Sequence, residues 1–508
     1  MRVSTNSLYL NNVSNMLGKQ SALNKVQEQL STLRKVNRPS DDPVAASQIL
    51  DQTQAKDRID QFNQNAKAAE SSLALSGTSL QSAGDVLQKV RQMAIQAGNT
   101  TLTNEDRKML NSELEGLYKQ MLGYANTLDG NGKALFGGSI SQTKPYSELQ
   151  QFGTAVAAGS SIVQYNGDAN RQEMMISSAR QVPVTDNGQY VFGSIPEGNG
   201  LFKLGAGSTL SNVQVDLGSV IDRAKFDAQV AGPIDALGVM GPPLLRGPIG
   251  ALSQAGARIE VVFGSEDDGV AGSAVEFNKY YDVVVSYDSA VPATVPPTTP
   301  TYVSLVTGLN GSTPAAASAL YSTSAEQVAT GNPPIGPLAK SYPKFQTGAD
   351  INLDFSANPA PYDINFGVKF SMTSEAPANG GVLTLEPSKT RSIFDTLNDF
   401  SRVLQSSAAT PADATDFANR LGNVIANIDN TQTRMLSVEA RIGANRNEAD
   451  ALVEVGSEFS LQYKTILSRL QDVDVASAAS ELSLAKLALD ASQNSFAKVQ
   501  GLSLFNYI

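Results

Sequence analysis

Three residue types are missing from this 508-residue chain: cysteine, histidine and tryptophan. Without cysteine there is no disulfide, no thiolate nucleophile and no thiolate metal ligand. Without histidine the commonest general base and the usual zinc ligand are gone, which excludes a Ser-His-Asp triad and an HExxH zinc helix. Positive charge is also scarce: 38 Lys and Arg stand against 49 Asp and Glu, a formal net charge of −11. Phosphate binding needs concentrated Lys and Arg, so no nucleic acid partner is expected. No apolar run approaches the ~20 residues of a membrane helix, so membrane insertion is not expected either. Residues 1–16 are polar and amphipathic and lack the apolar stretch of a cleaved signal peptide. The chain reads as cytosolic, or as exported by a route that needs no such signal.

What is present divides the chain into two like ends and an unlike middle. Met16, Leu23, Val26, Leu30 and Leu33 follow 3-4 spacing and predict a weak amphipathic helix that stops at Asn37-Arg38-Pro39, because proline disfavours helix in the residue before it. Asp42 suits an N-cap and Pro43 the first helical position. In the next helix Ile59, Ala66, Leu73, Leu80, Leu87 and Ala94 recur every seven residues, with Phe62, Ala69, Ser76, Ala83, Val90 and Ala97 as companions. Gly98-Asn99 ends it. Thr103 and Asp106 form a capping box for a third helix over residues 104–128.

Near the other end, an unbroken 4-3 alternation runs from Phe417 through Leu421, Val424, Ile428, Met435, Val438, Ile442, Ala449, Phe459 and Ile466 to Val473. The spacing then continues in a new phase through Val475, Ala478, Leu482, Ala485, Leu489, Ser492, Phe496 and Val499. A phase change marks a change of packing partner. It predicts a joint at residues 473–475, matching the break at 39–43, with residues before 40 pairing with those after 475. The candidate assembly seam is therefore Leu23, Val26, Leu30 and Leu33 against Leu482, Ala485, Leu489, Phe496 and Val499.

Between the ends the heptads disappear, and 20 of the 23 prolines lie from Pro145 to Pro387. Alternation and Gly/Asn/Pro punctuation predict strands at 189–192, 258–263, 281–287, 302–306, 352–355, 362–372 and 382–385. Residues 292–300 read as a linker and 308–337 as a surface insertion. The fold class is thus α+β and multidomain: N- and C-terminal helices paired in a long coiled-coil bundle, with a β-rich central insertion as outer domain or domains. The expected divisions are 1–40 with 475–508, then 41–144 with 390–474, then 145–389, subdivided near 231–345.

Candidate chemistry is thin. Glu266-Asp267-Asp268-Gly269 offers oxygen ligands but lacks EF-hand spacing, and a solvated hairpin turn explains it. Gly198-Asn199-Gly200 and Gly205-Ala206-Gly207 lack the phosphate-loop lysine and do not open a helix. Arg38, Asp41 and Asp42 sit where capping and ion pairing are expected. No catalytic residue, cofactor or metal ligand is assigned.

The motifs at the two ends carry a resemblance. Met1-Arg2-Val3-Ser4-Thr5 with Tyr9, followed by Arg38-Pro39-Ser40-Asp41-Asp42-Pro43, resembles the start of hook–filament junction proteins in the bacterial flagellin superfamily. Leu135-Phe136-Gly137-Gly138 is similar to that family's exit from the N-terminal bundle, and Tyr165-Asn166-Gly167-Asp168 and Asp186-Asn187-Gly188 to its first outer strands. Pro377-Ala378-Asn379-Gly380, Phe394-Asp395-Thr396-Leu397 and Arg441-Ile442-Gly443-Ala444 are similar to its return. The resemblance covers residues 1–230 and 350–508. It implies a structural subunit of the bacterial flagellum, not an enzyme, exported through the flagellar type III channel without a cleaved signal. The implied location is extracellular, at the hook–filament junction. The implied partners are hook-associated protein 1, flagellin, copies of itself in a ring, and an export chaperone at the C-terminal helix. The alternatives are a flagellin, whose Asp-Asp motif is usually Ala-rich, or a flagellin-like scaffold carrying a binding or enzymatic insert. The terminal segments, with Ala, Ser and Lys in their seams, are expected to order only on assembly.

Overall fold

A computed structural model describes residues 5–99, 101–140, 144–157, 160–206, 213–230, 258–267, 276–286, 302–304, 310–311, 345–354, 365–372, 381–406 and 410–501. It is mostly helical, with small sheets. The long helices are α1 (Thr5–Thr32), α2 (Pro43–Ala97), α3 (Asn104–Ala125), α5 (Ile393–Gln405), α6 (Pro411–Gln471) and α7 (Val475–Gly501), and α4 (Arg223–Val230) is short. The chain separates into two compact units. The first comprises Met1–Ser71, Glu173–Val182 and Asn445–Ile508; the second comprises Ser72–Gln172 and Pro183–Ala444.

In the second unit α2 and α6 run side by side in opposite directions. Leu421 approaches Gly98, Arg91 pairs with Asp429 at 2.6 Å, and Ile442 lies against Gly77. The heptad positions of α2 in this unit (Leu73, Ser76, Leu80, Ala83, Leu87, Val90, Ala94 and Ala97) are all buried. So are Phe417, Leu421, Val424, Ile428, Thr431, Met435, Val438 and Ile442 of α6. Gly77 on α2 and Gly98 just past its end face larger side chains on α6, Ile442 and Leu421. The predicted capping box closes the start of α3, where Thr103 and Asp106 satisfy each other's backbone N–H groups. The helix ends at Ala125, three residues earlier than expected. α5 is buried through Ile393, Phe394, Leu397, Phe400, Val403 and Leu404.

The rest of this unit is β structure. Strands β8 (Arg258–Asp267), β9 (Glu276–Ser286), β10 (Tyr302–Ser304), β11 (Asn310–Gly311), β14 (Val382–Pro387) and β6 (Phe202–Ala206) form a six-stranded sheet in the order β11-β10-β9-β8-β14-β6. A three-stranded sheet has the order β12-β13-β7, from Asp350–Asp354, Asn365–Ser371 and Ser219–Val220. One core joins the two sheets: Ile259, Val261 and Phe263 from β8, Leu383 and Leu385 from β14, Ile351 and Leu353 from β12, and Phe366, Val368 and Phe370 from β13. The alternation along β12 and β14 is that of strands buried on one face, whereas β8 is buried on both faces from Ile259 to Phe263. Five predicted strands therefore form within the described residues at 258–263, 281–286, 302–304, 352–354 and 382–385, and a sixth over 365–371. Residues 287, 305–306, 355 and 362–364 of those expectations lie outside the described residues, as do the linker at 292–300 and nearly all of 308–337. The exception there is β11.

One strand expectation is overturned. Residues Gln189–Gly193 form a single turn of π-helix, not a strand. Val191 and Phe192 are buried on that turn, and Phe192 meets Phe136 edge-to-face at a centroid separation of 5.2 Å. Just before it, Asp186 is buried and paired with Arg441 at 2.6 Å and Arg171 at 3.3 Å. Burial pushes its carboxyl up, against the pull of Arg441 and then Arg171. The Leu135-Phe136-Gly137-Gly138 turn is buried too. Gly138 has φ 71, and a Cβ there would collide with Asp168, so only glycine fits.

The tight α2 seam sets a measurable sensitivity. Leu87→Ala, at a fully buried site, should cost about 3 kcal/mol in reversible urea unfolding of the second unit. Exposed Leu75→Ala, one residue off the seam, should change stability by less than about 0.5 kcal/mol.

Candidate assembly site

The first unit holds both predicted helix breaks. α1 ends at Thr32, before the expected stop at 37–39, and α2 begins at Pro43 as expected. The early stop has local causes. Leu33 takes φ 57, the one left-handed non-glycine residue among those described, and Thr32 Oγ1 donates to the Asn37 side chain at 2.9 Å. Across from it the chain is not a continuous helix with a slipped phase. α6 ends at Gln471 and α7 starts at Val475, with Asp474 as N-cap accepting from the N–H groups of Ala476 (3.0 Å) and Ser477 (3.3 Å).

The two breaks satisfy each other. Lys35 N donates to Gln471 O at 2.7 Å, and Val473 N donates to Leu33 O at 3.1 Å. With its amide oxygen turned inward, Gln471 accepts from Arg34 Nε at 3.0 Å. Backbone groups that a helix break would leave orphaned are thus paired across the joint.

Every residue of the Arg38–Pro43 motif is accounted for at this break. Asp41 accepts from the backbone N–H of Arg38 (3.0 Å) and Asn37 (3.3 Å) and pairs with Lys25 Nζ at 3.4 Å. Arg38 pairs with Glu28 at 3.3 Å. Asp42 caps α2, accepting from Val44 N (3.1 Å) and Ala45 N (3.0 Å), and Pro43 is the first helical residue. Pro39 and Ser40 are exposed in the turn between.

α1 packs against α7. Leu23, Val26 and Leu30 are half-buried in α1, as are Leu482, Ala485, Leu489 and Phe496 in α7. Leu33 is not on that face: it is 57% exposed at the break. Val499 lies in the last turn of α7, and its side chain falls outside the described residues. A second apolar stripe escaped the seam assignment. Leu10 and Leu17 of α1 and Leu484 and Leu487 of α7 are 58–66% exposed. The seven-residue interval on α1 and the three-residue interval on α7 were the available signal.

Toward the middle of the same unit, Ser460 donates to Asp60 at 2.7 Å and Gly456 packs against Asn63. A hairpin of β3 (Glu173–Ser177) and β4 (Arg180–Pro183) is fastened there by Asn65 Nδ2 on Met175 O at 2.8 Å and by a bidentate Arg180–Glu448 pair.

The places weighed for catalysis hold nothing more. Glu266 and Asp267 end β8 opposite Asn278 and Glu276, and residues 268–269 lie outside those described. Gly198 and Gly200 make a positive-φ turn that leads into β6, not a helix. Among the described residues no group of three or more potential metal ligands converges, and no helix is long and apolar enough to cross a membrane.

The acceptor role of Asp41 has a pH signature. The Arg38 N–H beside it, then those of Asn37 and the Lys25 ammonium, hold its carboxyl below the ordinary aspartate value of 3.8. A depressed carboxyl stabilises above that value and loses its contribution as pH falls through the folded one. Cleavage within residues 33–42 should therefore be slower in the native chain than in Asp41→Asn under trypsin at neutral pH. The two should converge under pepsin only at a pH well below 3.8, where the folded carboxyl is also protonated. Equal rates at neutral pH would remove the carboxylate from the joint.

Residues 3–141 match the family description of the bacterial flagellin N-terminal helical region. Flagellar hook-associated protein 3 of Salmonella typhimurium is 31% identical over 195 residues, covering 38% of this chain and 58% of that protein. Flagellin of Listeria monocytogenes is 25% identical over 131 residues, 26% of this chain and 46% of that one. The match thus spans little more than half the length of the first relative. In three dimensions, flagellar hook associated protein-3 from Legionella pneumophila aligns with a TM-score of 0.58 at 23% identity, over 82% of this chain and 98% of that one. The chain matches the bacterial flagellin N-terminal helical region over residues 3–141, shares its fold with a flagellar hook associated protein-3, and is similar in sequence to flagellar hook-associated protein 3.

Proposed function

We propose that this chain is a structural subunit of the bacterial flagellum, not an enzyme, and that it joins the hook side to the flagellin filament. The observation that carries the reading is the terminal helix pair. One face of α1 and α7 is half-buried between them, and the other exposes Leu10, Leu17, Leu484 and Leu487. A soluble monomer gains nothing from such a stripe; a ring of copies buries it. Similarity extends further, at higher identity, to hook-associated protein 3 than to flagellin, which favours the junction over the filament.

On this reading the terminal segments, 1–40 with 475–508, line an inner tube. Residues 41–144 with 390–474 form a coiled-coil bundle outside it, and the β-rich stretch 145–389 faces outward. Contacts would run to hook-associated protein 1 on one side, flagellin on the other, and identical copies around the ring. The chaperone would take the C-terminal helix before export through the type III channel without a cleaved signal, leaving the subunit extracellular. A marginal helix pair suits both demands: it threads a channel without opposing a large folding free energy, then gains its remaining burial from neighbours.

Leu484→Glu combined with Leu487→Glu should abolish incorporation between hook-associated protein 1 and flagellin in a reconstituted hook preparation. The melting temperature of the second unit should be unchanged. Retained incorporation would sink the reading, and unaided growth of the native chain into long filaments would make it a flagellin. In dilute monomer, amide exchange in Thr5–Thr32 and Val475–Gly501 should be fast relative to residues 73–97 and should slow sharply on assembly.

A further inference from the structure

We infer that Asn131 is a site of spontaneous deamidation, placed so that the folded chain ages there before the three other Asn-Gly pairs whose side chains are described. The chemistry requires an asparagine whose side-chain carbonyl carbon can be reached by the next residue's backbone nitrogen. Glycine in that place leaves the approach unhindered by a Cβ. Four Asn-Gly pairs have described side chains: Asn131-Gly132, Asn166-Gly167, Asn187-Gly188 and Asn199-Gly200.

Three of the four are tied. Asn166 Nδ2 donates to Ser147 Oγ at 3.0 Å and to Lys144 O at 3.3 Å. Asn187 Oδ1 accepts from Gln189 N at 2.8 Å, while its attacking nitrogen, Gly188 N, donates to Phe136 O at 2.9 Å and to Tyr165 Oη at 3.1 Å. Asn199 Oδ1 accepts from Leu201 N (3.0 Å) and Phe202 N (2.9 Å), and its Nδ2 donates to Gly218 O at 3.2 Å. Rotating any of these amides toward its own glycine breaks those bonds first.

Asn131 differs on each count. It is exposed, and its side-chain amide makes no hydrogen bond among the described residues. Gly130 and Gly132 flank it, and nothing lies within 4 Å of where either Cβ would be. Its backbone N–H is held by Asp129 Oδ1 at 2.8 Å, and Gly132 N donates to Asp129 O at 3.0 Å. The second bond is all that guards the nucleophile, and it lies in an exposed turn open to water.

The step balances without a co-reactant. Gly132 N gives its proton to solvent and attacks Asn131 Cγ; the new C–N bond closes a succinimide and ammonia leaves. Water then opens the ring to aspartate or isoaspartate. Either product adds one negative charge next to Asp129. Isoaspartate also lengthens the backbone inside a turn clamped by the Leu128–Ala134 bridge, directly before the buried Ala134-Leu135-Phe136 run.

The test is incubation of the full native chain at mildly alkaline pH, with peptide mapping by mass spectrometry and ion-exchange separation of charge variants. The Asn131 peptide should convert about tenfold or more faster than the peptides bearing Asn166, Asn187 or Asn199. The acidic variant that mapping assigns to the Asn131 peptide should be absent from Asn131→Gln, whose longer side chain would need a larger, slower-forming ring. In urea-unfolded chain the four rates should draw together, because the fold alone separates them. Comparable native rates among the four, or deamidation mapped first to the Asn166, Asn187 or Asn199 peptide, would overturn the assignment.

Discussion

The close approach of α2 to α6 is the constraint on which the rest of the chain hangs. In the second unit Gly77 lies against Ile442 and Gly98 against Leu421, among the buried Leu73, Leu80, Leu87 and Val90 of α2 and Phe417, Ile428 and Met435 of α6. In the first unit Gly456 plays the small part, for a Cβ there would strike the Asn63 side chain. Interiors at crystal-like density tolerate little added volume. The seam therefore fixes the register of two helices of 55 and 61 residues. The Arg91–Asp429 pair, more than a third exposed on both sides, can tune that register but not set it.

The quality of burial changes along these helices while the spacing does not. Positions from Leu73 to Ala97 and from Phe417 to Ile442 are sealed, whereas Leu452, Tyr463, Ile466 and Leu470 are half-buried and Phe459 is 47% exposed. A fully buried leucine contributes about 1.5–3 kcal/mol, and a half-buried one correspondingly less. Ordering each residue costs about 1–2 kcal/mol of backbone entropy in either case. The first unit gains less per ordered residue than the second, and its stability is the part most open to increase by a neighbour.

How much of this was legible depended on the range of the signal. The α2 heptads, the Asp42 cap, Pro43 and the Thr103–Asp106 box act within a few residues, and each could be read directly. The start of α1 at Thr5 could not, because Asn6, Ser7, Asn11 and Asn12 carry low helix propensity and only packing on α7 overrides it. The turn at Gln189–Gly193 was misread because Tyr190, Val191 and Phe192 favour strands in isolation. What placed them in a helical turn was Phe136 and Tyr146, more than 40 residues away, packing on Phe192. The β3–β4 hairpin left only two short runs around Ser178-Ala179, too brief to stand out. Of the candidate site, the break at Arg38–Pro43 was legible; Leu23, Val26 and Leu30 are half-buried on α1, whereas Leu33 is exposed. The outer leucine stripe was not legible, because a single heptad register assigns one face to each helix.

The joint explains why one break needs a motif and the other does not. Ten residues separate α1 from α2, and three separate α6 from α7. The two connections nonetheless meet backbone to backbone, through Leu33 with Val473 and Lys35 with Gln471. The short connection needs only a cap, Asp474. The long one has surplus chain that must be folded back, and each backbone group in the surplus must find a partner. Asp41 supplies two acceptor bonds, Gln29 Nε2 donates to Lys35 O at 2.8 Å, and Arg38 O accepts from Asp41 N at 2.9 Å. Shortening the long connection would pull Lys35 from Gln471 and open both breaks. Lengthening the short one would leave Val473 without Leu33. The geometry of the joint is thus a length difference absorbed by the Asp41 carboxylate together with Gln29 and Arg38.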